Sequence, residues 1–228
     1  MTAAPAAPLI IDVISDVVCP WCFIGKRRLE AALALAARDG AAPEVVVRWH
    51  PFELNPDLPH EGIDRRAYLD AKFGGAERAT QIYDRVRAAG ASVGIPFAFE
   101  RIARQPNTRD AHRLVAWTQG RGDAGSLVER LFSAYFLDGR DPGDRAVLAA
   151  IAGEAGGDPA AAGAMLESDE GKDAVPASER RALEIGVGGV PFFIFNGRLA
   201  VSGAQEPQVL AQAIAESVRT PDPTAARA

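Results

Sequence analysis

The chain holds two cysteines, and they stand three apart in Cys19-Pro20-Trp21-Cys22. Such a pair supports two chemistries: reversible thiol-disulfide exchange, or half of a tetrahedral zinc site. Zinc would need two further ligands. The candidates are His50, His60 and His112, none in His-x-x-x-His spacing and none beside another cysteine, so no metal is expected. A blander alternative, two thiols buried as small hydrophobes, does not explain why Pro-Trp separates them or why they fall between a strand and a helix.

The placement of the pair follows from its flanks. Leu9-Ile10-Ile11-Asp12-Val13-Ile14-Ser15 is a β-branched run with the length of a buried strand, and it leads directly into the cysteines. A helix follows, with Pro20 in the first turn, Leu29 and Leu33 facing inward, Lys26, Arg27 and Glu30 facing out, and Gly40 as its stop. On a first helical turn, residues three apart can bring their Cα atoms to the separation of about 5.5 Å that a disulfide needs. Cys19 then meets unpaired backbone N–H groups and the positive end of the helix dipole, which favour its thiolate and make it the attacking sulfur. Cys22, one turn deeper, remains a thiol until it resolves a mixed disulfide on Cys19. Pro20 and Trp21 add no charge. Asp16 either repels negative charge on the sulfurs or caps the loop before the helix.

Farther along, Val45-Val46-Val47-Arg48-Trp49 is a second β-rich run, which completes a βαβ unit with parallel strands. From Ile63 to about Ser168 the apolar period becomes helical, as in Ile82, Val86 and Ala89, in Leu114 and Trp117, and in Leu127, Leu131 and Tyr135. Asp141-Pro142 and Asp158-Pro159 read as N-caps with first-turn prolines, while Gly74-Gly75 and Gly156-Gly157 break the pattern. Phe192-Phe193-Ile194-Phe195, Asn196-Gly197, then Arg198-Leu199-Ala200-Val201 reads as a hairpin with a type I′ turn, preceded by Gly188-Gly189-Val190-Pro191. A last helix runs from about Glu206 to Val218. The expected fold is α/β: a mixed sheet of four or five strands carrying a large all-helical insertion. Residues 1–61 and 171–220 form the sheet domain, 62–170 the inserted helices, and 221–228 a frayed tail.

Composition sets the surroundings. The chain has 228 residues, 48% of them apolar, which is ample for a core without disulfide or metal staples. A net charge of -5 offers no general attraction to nucleic acid or anionic lipid. Arg27-Arg28 and Arg65-Arg66 read as solvated helix faces. Met1 to Pro8 lacks a basic n-region, and Asp12 and Asp16 interrupt the apolar run behind it, so neither a signal peptide nor a membrane span is expected. A cytoplasmic protein is expected, and there a close cysteine pair is more often catalytic than structural.

Taken together, these residues resemble the thioredoxin-fold DsbA family of thiol-disulfide oxidoreductases. The likeness is nearest to its FrnE-like branch through Ser15-Asp16, Phe52-Glu53-Leu54-Asn55-Pro56, Asn107-Thr108, Ala111-His112-Arg113-Leu114 and Ser202-Gly203-Ala204-Gln205. The resemblance spans about Ile10 to Val218 and implies Cys19 as nucleophile, Cys22 as resolving cysteine and Pro191 in the cis form against Cys19. It implies Pro20, Trp21 and Val190 at the substrate, with the Val190 backbone pairing with an extended segment. Protein or small-molecule thiols and disulfides are the implied partners, and a homodimer is compatible with it. No tightly bound cofactor is implied, although glutathione suits the site as a co-substrate. With two cysteines, the chain lacks the second pair near the C-terminus that some FrnE relatives carry.

The same superfamily holds glutathione-dependent isomerases and kappa-class glutathione transferases acting on small aromatic compounds, in which serine commonly replaces the first cysteine. Retention of both sulfurs here favours redox exchange over that alternative, and over a third, a non-catalytic binding module with an unreactive Cys19. His112 reads as a structural histidine rather than a base, Asn107 as a helix N-cap, and Trp49 and Phe52 as core. Gln205 either borders the site or begins the last helix.

Overall fold

The computed structural model describes residues 8–38 and 44–219. Gly40, expected as a helix stop, and the expected tail at 221–228 lie outside the described residues. Strand β1 (Leu9–Ser15) is followed by α1 (Pro20–Arg38) and β2 (Val45–Pro51), and β1 and β2 pair in parallel from Leu9↔Val45 to Ser15↔Pro51. After a long helical stretch come β3 (Phe192–Phe195), β4 (Leu199–Ser202) and α9 (Pro207–Arg219), numbered in the order of the main sheet. Here β3 runs antiparallel to β1 and β4 antiparallel to β3, so the sheet order is β2-β1-β3-β4.

The hairpin turn forms as the Asn-Gly dipeptide demands. Asn196 and Gly197 have φ of 48° and 66°, the left-handed pair of a type I′ turn. The Asn196 side chain also accepts from the Ile10 N–H at 2.9 Å, while its own N–H reaches the Ile10 carbonyl at 2.8 Å, so the turn locks the hairpin onto β1.

Between β2 and β3 lie α2 (Arg65–Phe73), α3 (Ala76–Ala91), α4 (Arg109–Gln119), α5 (Gly125–Phe136), α6 (Arg145–Glu154), α7 (Pro159–Glu167) and α8 (Ala174–Glu184). The insertion is not purely helical. Ile63–Asp64 and Arg104–Gln105 pair antiparallel at its neck, a two-residue ribbon too short to interrupt a helical period in the sequence. Asp158 caps α7 through the Ala160 and Ala161 N–H groups, with Pro159 in the first turn. The other expected cap moves by three residues: Asp141 binds the Gly143 N–H in a tight turn, and Asp144 caps α6 through Ala146 and Val147. The turn takes Pro142 because its missing N–H is no loss there.

An aromatic cluster fastens the insertion to α1. Phe23, the residue after Cys22, stacks on Phe132 of α5 at 5.1 Å and meets Phe97 edge-on at 6.1 Å, and Phe97 meets Phe136 edge-on at 5.3 Å. On the other face of the sheet, Ala182 of α8 and Val187 pack with Ile14 and Phe52.

Three charged readings are corrected by side-chain contacts. Lys26 is buried rather than outward, because α5 packs there and brings Glu129 to 2.8 Å, with Glu30 as its second partner. Arg65 is buried too, bound to Gln105 and to the Tyr83 hydroxyl, whereas Arg66 stays exposed. Arg28 is likewise mostly covered and donates to the Ala204 carbonyl at 2.6 Å.

Arg113 has the largest structural task. Fully buried on α4, it donates to the carbonyls of Met165, Leu166, Ser168 and Glu170, satisfying acceptors that the end of α7 leaves open, and pairs with Asp110 at 2.6 Å. Arg113→Ala orphans all of these at once and should lower unfolding stability by about 3 kcal/mol or more. Arg145→Ala, at the exposed side of Asp110, should cost under about 1 kcal/mol. Urea titrations compare the two, and equal midpoints would remove the clamp assigned to Arg113.

Candidate active site

The strand-to-helix junction sets the geometry of the cysteines. Cys19 stands immediately before α1, where its carbonyl accepts from the Cys22 N–H at 3.0 Å and its own N–H donates to the Asp16 carbonyl at 3.0 Å. It therefore occupies the capping position, at the end of the helix where N–H groups lack partners. Both cysteines are free thiols, and their sulfurs lie within hydrogen-bonding reach of each other. Both cysteines are buried, Cys19 with 5% exposure and Cys22 with 1%. Burial raises the Cys22 thiol well above its ordinary value, and the adjoining Cys19 sulfur raises it further. The neighbouring Ser15 side chain and Asp16 backbone oppose this only in part.

The second half of the site comes from the loop before β3. The Val190–Pro191 peptide bond is cis. The Val190 carbonyl accepts from the Cys19 thiol at 3.7 Å, and the Pro191 carbonyl is held by the Gly203 N–H at 2.8 Å. Pro191 is buried, Val190 and Pro20 are half-buried, and Trp21 is 39% exposed, which leaves an apolar ring on the rim of the motif. The structure thus brings Cys19, Cys22, Val190 and Pro191 together, with Pro20 and Trp21 at the edge. Gln205 instead binds the Ser202 carbonyl just ahead of α9.

Asp16 is fully buried. Its Oδ2 accepts from the Leu54 N–H at 2.8 Å and its Oδ1 from the Val18 N–H at 3.4 Å, so it ties the cysteine loop to the segment after β2. His112 of α4, also buried, places Nε2 3.3 Å from Asp16 Oδ1 without hydrogen-bonding geometry. Asn107 accepts from the Arg109 N–H at 3.0 Å and donates to the Leu58 carbonyl at 2.8 Å, so it organises the start of α4 from one residue before the cap. Trp49 and Phe52 are core.

Sequence reasoning gave no role to Ser15, which touches Cys22, or to Glu53, which is buried and bound by Arg109 at 3.0 Å. The signal lay in the strings Ser15-Asp16 and Phe52-Glu53, where a polar residue stands directly after an apolar one. Among the described residues no cluster of three or more His, Cys, Asp or Glu side chains suits a metal ion.

A model of the DSBA-like thioredoxin domain matches residues 10–215. A probable DsbA oxidoreductase from Streptomyces coelicolor has 33% identity, a TM-score of 0.82, and coverage of 94% of this chain and 92% of its own. The uncharacterised Bacillus subtilis protein YwbO is 27% identical over 207 residues, 90% of this chain and 96% of that one. The cytosolic disulfide reductase DsbM of Pseudomonas aeruginosa, solved with glutathione, superposes with a TM-score of 0.63 at 18% identity, covering 92% of this chain and 100% of that one.

Proposed function

We infer the reaction from one premise: this chain belongs to the DSBA-like thioredoxin domain family, and it is a thiol-disulfide oxidoreductase. Cys19, as thiolate, attacks a substrate disulfide and releases one substrate thiolate. Cys22 then attacks Cys19 in the resulting mixed disulfide, the second substrate sulfur leaves, and a Cys19–Cys22 disulfide remains. The reverse sequence oxidises a dithiol. The observation that carries this reading is the pair of unbonded thiols at the start of α1, the outer one facing the Val190 carbonyl.

Val190 and Pro191 would present backbone to an extended substrate, with Trp21 and Pro20 contributing apolar contact beside it. Glutathione as thiol partner and a cytosolic setting are supported by the likeness to DsbM, described as cytosolic and solved with glutathione. Among the described residues no helix is long and apolar enough to cross a membrane. The FrnE-like branch is compatible with the motifs, and residues 1–61 with 171–220 would form the catalytic unit around the inserted 62–170.

The isomerase alternative needs a pocket for an aromatic substrate beside Cys19. A cavity of about 480 Å³ in the insertion is lined by Arg65, Tyr83, Arg87 and Phe99 rather than by the cysteine motif. Retention of both free thiols makes redox exchange the better-supported chemistry. Equilibrated with glutathione and its disulfide, the protein should lose the mass of two hydrogens with a defined midpoint, and each ~30 mV on that midpoint changes its oxidised-to-reduced ratio tenfold. A protein that never closes a Cys19–Cys22 disulfide would not fit.

A further inference from the structure

Arg65 at the start of α2 is 8% exposed, and among the described residues no carboxylate stands within ion-pair distance of its guanidinium. Its side-chain partners are the neutral Gln105 amide and Tyr83 hydroxyl. The other buried lysine and arginine are paired, Lys26 with Glu129 at 2.8 Å and Arg113 with Asp110 at 2.6 Å. An uncompensated charge is costly to keep out of water, so a buried guanidinium without a carboxylate is a place where an anion gains unusually much.

The cavity of about 480 Å³ in the insertion is lined by Arg65 together with Leu69, Tyr83, Phe99 and Ile102. Apolar and aromatic walls around a few polar groups, at this size, make a small-molecule site. We propose that this cavity binds a small aromatic monocarboxylate, with its carboxylate on Arg65 and its ring against Tyr83 and Phe99. No cysteine lines it, so the site is distinct from the exchange centre and needs no step of that reaction.

The guanidinium is held in place for such a contact. It lies 5.5 Å from the ring centroids of both Tyr68 and Tyr83, and Gln105 and Tyr83 fix its two terminal nitrogens. Those bonds leave further N–H donors of the planar fork free, and a carboxylate accepts from such donors in pairs. Beside it, the Tyr83 and Phe99 rings meet at 4.4 Å with a tilt of 47°. Arg87 stacks over Phe99 at 5.3 Å and covers one face of that ring.

The remaining charges narrow the ligand. Asp64, Asp70, Glu100 and Arg66 line the cavity from exposed positions, and Arg87 is half-exposed. Asp64 is engaged as the N-cap of α2, accepting from the Ala67 N–H at 2.9 Å, and Glu100 stands 3.8 Å from Arg87. A polyanion such as a nucleotide therefore meets like charge at the mouth. A monoanion with an apolar body carries its single charge past these groups to the interior cation, and its ring keeps water from that contact.

The test is calorimetric titration of the native full chain with 1-naphthylacetate and with its neutral isostere 1-naphthylacetamide. The acid should bind at a single site, and the amide about tenfold or more weaker, because only the acid pairs with Arg65. Arg65→Met should erase that preference and bring the two probes to similar affinity, an effect that a merely structural Arg65 would not have. Cys19→Ser should bind the acid as the native chain does, and inorganic phosphate should not displace it. Equal affinity for acid and amide in the native protein overturns the proposal whether or not Arg65→Met folds, as does an unchanged preference in that variant. Saturation by neither probe, or displacement of the acid by phosphate, overturns it as well. Acid binding lost in Cys19→Ser would put the ligand at the cysteines, which overturns the separate site and favours the isomerase reading of the exchange centre.

Discussion

Cys19→Ser is expected to bring dithiothreitol-driven insulin reduction down to the uncatalysed rate, while Cys22→Ser, given a disulfide substrate without dithiothreitol, should stop at an adduct on Cys19. The difference lies in the positions of the two sulfurs. Cys19 stands at the capping position with its thiol toward the Val190 carbonyl, and Cys22 is sealed beneath it. Without Cys19 the remaining sulfur is a poor nucleophile, because burial, the largest cause that holds its thiol well above the ordinary range, persists when the Cys19 sulfur is removed. Iodoacetamide should therefore label Cys19→Ser slowly, accelerating only above about pH 9 as the thiol ionises. Without Cys22 the attack still occurs, but nothing displaces the substrate from Cys19, and mass spectrometry of the intact protein should find one substrate equivalent per chain, released by dithiothreitol. Rapid labelling of Cys19→Ser, or full turnover by Cys22→Ser, would reverse the assigned order of attack or favour glutathione-supported isomerisation instead.

How far the sequence discloses this site depends on the range of the interactions concerned. The cysteine pair, the Asn196-Gly197 turn and the Asp158-Pro159 cap are local, because each is decided by a few adjacent residues and the backbone geometry they permit. Lys26, Arg65 and Arg113 are different. Lys26 and Arg65 read as solvated helix residues and Arg113 only as part of a family string, yet each is buried because a distant segment supplies its partner: Glu129 to Lys26, Gln105 to Arg65, and the end of α7 to Arg113. Such partners stand up to about a hundred residues away, beyond the reach of periodicity. The insertion also hides part of the site. His112 looks like an ordinary helix residue until α4 is set against the cysteine loop, where it meets Asp16, and Ser15 looks like the end of a strand until α1 turns Cys22 over it.

Gly25→Val should cost the enzyme far more activity than stability. Gly25 lies on α1, one turn beyond Cys22, where a helix gives no conformational reason for glycine and replacement by alanine would ordinarily add about 1 kcal/mol. The reason is the opposing loop. A Cβ at this position would come 2.9 Å from Pro191 Cγ and 3.2 Å from Phe193 Cζ, both closer than ordinary contact. Phe193 is fully buried in β3 and cannot retreat, so the added carbon presses on Pro191. Alanine's gain in helix propensity and the cost of that contact are of similar size, and Gly25→Ala should unfold within about 1 kcal/mol of the native protein. Valine adds two methyl groups into the same space, with overpacking of about 1 to 3 kcal/mol and no compensating propensity. Moving Pro191 also moves Val190, whose carbonyl sits 3.7 Å from the Cys19 sulfur, and a displacement near 1 Å at a reacting centre can cost about 100-fold in rate. Insulin reduction by Gly25→Val should therefore fall far more steeply than its thermal midpoint, while labelling of unfolded Cys19 stays normal. Activity lost only in proportion to folded protein would mean that the close approach of α1 to Pro191 serves packing alone.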